Sequence, residues 1–246
     1  EFEQQFSSPI IAKSKSTRRV SWPELTIDVT AGMQAAAVVV AFSWVLPFWL
    51  APTAARKTYE FASFQYDVER SPFDNTVWTY GTDYAVGFFI LLVALSVPCH
   101  GQFAITGWKS RGLLSFYTLS VLFGGLAHQF YLTLESRNTL LFRVHWTICV
   151  GLVAAASGFM GATASELLGL DRSRGSKVLT PFMNRELPLV PDSFWFGFAV
   201  CVTATVIAGG ASNQDPACDL FIVGITQFPS SFYIMAIFWS TKFKVK

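Results

Sequence analysis

The stretch from Val144 to Ala164, VHWTICVGLVAAASGFMGATA, contains no Asp, Glu, Lys or Arg. Coiled as a helix at about 1.5 Å per residue, it covers the ~30 Å hydrocarbon core of a bilayer. Its apolar character is continuous and does not alternate over about ten positions, so it reads as a membrane helix and not as a barrel strand. Gly151, Ala154, Ala155, Ala156, Ser157, Gly158 and Gly161 include several pairs four apart, the spacing at which helix backbones approach closely in lipid. A helix with such a face belongs at the centre of a bundle.

Five further windows of this kind flank it, at 31–51, 83–103, 112–132, 193–212 and 220–240. The charge lies between them, for example along 56–74 and 171–192, in segments that could not enter lipid cheaply. Composition agrees, with 52% hydrophobic, 16% aromatic and only 14% charged residues, and a mean hydropathy of +0.42. The expected fold is an all-α, polytopic integral membrane bundle of six transmembrane helices. A basic segment, 1–30, precedes the six-helix domain at 31–240, and a basic tail, 241–246, follows it.

Orientation comes from Lys and Arg counted on alternate sides of the six windows. Of the 18, thirteen fall on one side, among them Lys13, Arg19, Lys109, Arg111, Arg172, Arg185 and Lys246. The other side has only Arg56, Lys57, Arg70, Arg137 and Arg143. The positive-inside bias then puts both termini on the cytoplasmic, stromal or matrix side. Trp108, Trp195 and Trp239 are expected at the inner membrane edge, and Trp49, Trp78 and Trp146 at or near the outer one. The chain starts at Glu1, and Ser7 to Arg19 reads as a basic anchor for anionic lipid or as the stub of a transit peptide. A net charge of +2 gives no reason to expect nucleic acid as a partner.

Polar groups gather near the outer ends of three windows. Asp83 and Tyr84 open the second, His128, Gln129 and Tyr131 close the third, and His145 opens the fourth. The link after the third window is short, so its helix and the next are antiparallel neighbours, and Glu135 in that link reaches the same place. His128, His145, Asp83 and Glu135 would make a divalent-metal set suited to zinc or iron. The two histidines could alternatively hold a haem. The plainest reading is a hydrogen-bonded lid in which Asp83 caps its own helix. A second polar group, Gln227, Ser230 and Ser231 beside Pro229, sits near the middle of the sixth window, where proline kinks a helix and frees backbone groups. Cys99, Cys149, Cys201 and Cys218 are too dispersed to imply a disulfide.

No Walker-A loop, G-x-S-x-G elbow, H-E-x-x-H or dinucleotide fingerprint occurs. The leading expectation is therefore a non-catalytic multi-pass protein that binds or scaffolds, as a subunit of a larger membrane complex, with lipid or pigment as its bound molecule. One alternative is a channel or facilitator for a small neutral solute, gated at the kinked sixth helix. The other is a metal-dependent membrane enzyme at the outer His/Asp/Glu cluster. Homo-oligomers would form through the small-residue faces.

Overall fold

The computed structural model describes residues 29–49, 76–101, 104–137, 139–175, 177–179, 185–208, 224 and 227–242. The basic N-terminal segment before Val29, the charged stretch 56–74 and the link carrying Asp215, Cys218 and Asp219 lie outside them. Among the described residues the regular elements are all helical: α1 (Val29–Trp49), α2 (Val77–Ser96), α3 (Ala104–Phe130), the single turn α4 (Leu134–Arg137), α5 (Leu140–Ser173), α6 (Asp192–Ala208) and α7 (Phe228–Lys242).

Local chemistry sets the helix ends. Thr76 and Thr139 take extended backbone, and their hydroxyls accept the N–H of Thr79 and Phe142, each at 3.3 Å, so they cap α2 and α5. Thr76, and not Asp83, is thus the cap of α2, and Asp83 stands seven positions further in. The second helix also stops earlier than the window 83–103 suggests. Pro98 disfavours helix at Val97, and Gly101 then turns the chain at φ +66°. Arg111 reaches back to satisfy the exposed carbonyls, donating to Ala94 at 3.2 Å and Val97 at 2.7 Å. Pro229 falls in the first turn of α7, where its missing N–H is tolerated.

Among the described residues three helices, α2, α3 and α5, are long and apolar enough to cross a membrane, which indicates membrane association. Shorter apolar helical stretches cover Val29–Val39, Asp192–Ala204 and Phe228–Trp239. α3 runs antiparallel to both α2 and α5. On α3 and α5, Lys109 meets Glu166, Gly112 meets Phe159, and Phe123 meets His145. Likewise Ala94 pairs with Arg111 and Tyr84 with Gln129 between α2 and α3.

α5 is the hub. Of its most apolar window, 56% is buried inside the bundle, against 11% for α2. Its small residues receive α6: a Cβ on Gly161 would stand 2.1 Å from the Trp195 ring, and one on Gly158 would stand 3.2 Å from the Trp195 carbonyl and from Ala199. That glycine face is therefore covered from within the chain. Two apolar clusters line α5, one around Phe142, Trp146 and Phe198, the other around Leu168, Trp195 and Ile237. Trp146 and Trp195 are thus buried core residues, whereas Trp78 and Trp239 are exposed.

Candidate functional site

α3 carries three polar groupings along its length, and Lys109 and Gln129, twenty residues apart, are separated by about 30 Å of helix.

The end expected to be the outer one holds most of the polar side chains singled out in the sequence. Here α2 crosses α3 at Gly124 and Gly125. A Cβ on Gly125 would lie 2.8 Å from Tyr84 Cε1 and 3.1 Å from Asp83 Cβ, so the absence of side chains is what lets α2 seat there. Tyr84 donates its hydroxyl to Gln129 Oε1 at 2.6 Å. On the α5 side, Ser120 Oγ donates to the Cys149 carbonyl at 3.0 Å, and the Cys149 thiol donates to the Ser120 carbonyl. One turn further along, His145 Nε2 lies 2.7 Å from the Phe123 carbonyl; a carbonyl only accepts, so this nitrogen carries the proton. The His145 ring also packs on Phe123 and Tyr131, and Tyr131 packs on Phe142. His128 is half-buried in the last turn of α3.

Among the described residues no group of three or more His, Cys, Asp or Glu side chains is placed to hold a metal ion. Glu135 is exposed on α4, and the His145 nitrogen bonded to Phe123 is not offered to zinc, iron or a haem.

The middle grouping joins α3, α5 and α7. Tyr117 donates its hydroxyl to Gln227 Oε1. Ser230 donates to the Gln227 carbonyl at 2.9 Å, and its hydroxyl also lies 2.9 Å from that of Ser157, both buried. Ser231 reaches Met160 Sδ at 3.5 Å. Ser230 and Gln227 are thus linked, with Tyr117 and Ser157 as partners that proximity in sequence gave no reason to expect, while the Ser231 hydroxyl turns to Met160.

The third grouping was hidden in the sequence, where Lys109 reads as a loop charge. It is only 4% exposed. Its ammonium lies 2.7 Å from Asp192 Oδ2 and 3.1 Å from Glu166 Oε2, and it donates to the Ala162 carbonyl at 3.4 Å. Three helices thus meet on one cation. Arg137, another charge counted for topology, is 2% exposed and donates to the Tyr131 carbonyl at 2.9 Å just beyond α3. The available sequence signal was weak: Glu166 ends a long apolar run and Asp192 begins another, which marks both as helix-end carboxylates near a common level.

Comparison with protein-family models, curated proteins and solved structures finds no match to this chain.

Proposed function

We propose that the chain is a multi-pass integral membrane protein, crossing the bilayer six times with both termini on the cytoplasmic, stromal or matrix side, and that it acts as a non-catalytic binding or structural module within a larger membrane assembly. One observation carries this reading: most of the chemistry-bearing side chains inside the bundle are engaged with one another across helix crossings. Tyr84 with Gln129, His145 with Phe123, Ser157 with Ser230 and Lys109 with its two carboxylates hold helices together and do not converge on a reacting centre. The antiparallel succession of α2, α3 and α5 and the lopsided basic residues support the threading. Purification in mild detergent should retain heteromeric partners, or a tightly held lipid or pigment. A lone monomer carrying nothing overturns the proposal.

The Tyr117, Gln227, Ser230 and Ser157 network favours a second reading, a facilitator for a small neutral solute. It places neutral donors and acceptors within an otherwise apolar bundle. In proteoliposomes tested with glycerol and urea, Gln227→Leu and Pro229→Ala should alter flux; flux unchanged in both variants removes this reading.

A further inference from the structure

Asp83 is a half-buried charge that the described part of the fold leaves unanswered. It stands seven positions into α2, one and a half turns beyond the exposed Trp78 that suits a headgroup boundary. Among the described residues its carboxylate has neither a hydrogen bond nor an ion pair. Arg137 and Lys109 are engaged elsewhere. The carboxylate is seated against bare backbone, with Oδ2 3.9 Å from where a Cβ on Gly124 would stand. Tyr84 packs on the neighbouring Gly125, and Tyr80 stacks obliquely on Tyr84 with ring centroids 6.3 Å apart. Thr82, Ala85 and Val86 beside it are exposed, so this seat opens along the outside of α2.

A half-buried carboxylate with no cation partner among the described residues, with Tyr80 and Tyr84 beside it on the same helix near headgroup depth, has the chemistry that recognises an organic ammonium. From this we infer that Asp83, with Tyr80 and Tyr84, forms a binding site for an ammonium group, opening between α2 and α3. The inference rests on α2 crossing the bilayer. A lipid headgroup and a free amine could both supply the group, and the experiment separates them.

The full-length chain is purified and its Tm measured with phosphatidylethanolamine, phosphatidylglycerol or free ethanolamine added, with native mass spectrometry following retained lipid. Phosphatidylethanolamine should raise Tm and survive as a bound adduct where phosphatidylglycerol does not. Asp83→Asn should abolish that preference, and Asp83→Glu should keep it. If millimolar ethanolamine alone reproduces the shift, the ligand is a free amine; if only the lipid does, it is the headgroup. Equal effects of the two lipids on the native chain, or an unchanged preference in Asp83→Asn, overturn the site. A parallel readout tests the premise: Val86→Cys in proteoliposomes should resist a water-soluble maleimide. Labelling there overturns the membrane placement of α2 and the site with it. Protection without lipid preference removes the site alone.

Discussion

Lys109 illustrates how much a single residue's role depends on its partners. As sequence, it is one of thirteen basic residues on the side assigned to the interior, and its charge votes for topology. In the fold the same ammonium is buried between Glu166 and Asp192 and ties α3 to α5 and α6. Removing one member of a buried ion pair costs about 3–5 kcal/mol, because it leaves charge uncompensated. Both carboxylates here are partly open, so Lys109→Met should fall at the low end of that range, about 3 kcal/mol. Thermal unfolding in detergent measures it, and adding Glu166→Gln to Lys109→Met should recover part of the loss. A Lys109→Met chain that melts together with the native one would show the triad to be dispensable. Arg111 and Arg137 share this double identity, since each contributes charge to the count yet donates to carbonyls at a helix end.

Among the elements, α5 owes its central place to its glycines, and two of them should behave oppositely on substitution. A Cβ on Gly161 would overlap the Trp195 indole, whose own N–H is anchored to Ser165 Oγ at 2.9 Å and so resists moving. Gly161→Ala should therefore push α6 away and cost about 1–3 kcal/mol. Gly169, eight residues later in the same helix, has nothing within 4 Å of its added Cβ. There, Gly169→Ala should be neutral or stabilise the chain by up to about 1 kcal/mol through helix propensity alone. Measured side by side, equal effects would mean that α5 and α6 do not pack as described. This face was legible in the sequence as a small-residue stripe, because close helix approach has few chemical solutions. Which helix would occupy it was not legible, because a glycine carries no mark of its partner.

At the level of the whole molecule, the apolar surface continues outward where a water-soluble protein would turn polar. Phe88, Phe89, Leu92 and Leu95 on α2, Leu140, Leu141 and Val144 on α5, and Phe232, Met235 and Phe238 on α7 are all exposed. In a bilayer these side chains face acyl chains, and the polar contacts turn inward to other helices. The proposed threading carries a direct prediction for sealed, uniformly oriented vesicles. Trypsin added from one side should reach the sites at Arg18 and Arg19 and those at Lys242 and Lys244 together, or reach neither pair. Cleavage of the two tails from opposite faces would rule out an even number of crossings.

The long apolar runs and the all-helical class were determined by sequence alone, because hydrocarbon thickness and the need to satisfy every backbone amide leave few alternatives for twenty uncharged residues in a row. That Tyr84 lies near Gln129 and Tyr131 near His145 was also foreseeable, since each pair sits near one end of antiparallel neighbours. The tertiary structure alone decided which partner each polar atom takes. It gave His145 Nε2 to the Phe123 carbonyl, moved Asp83 from a helix cap into the helix, and buried Lys109 among carboxylates supplied from 57 and 83 positions away. Hydrophobicity acts on whole segments and can be read along the chain, but a hydrogen bond or an ion pair depends on a few ångströms between residues that only packing brings together.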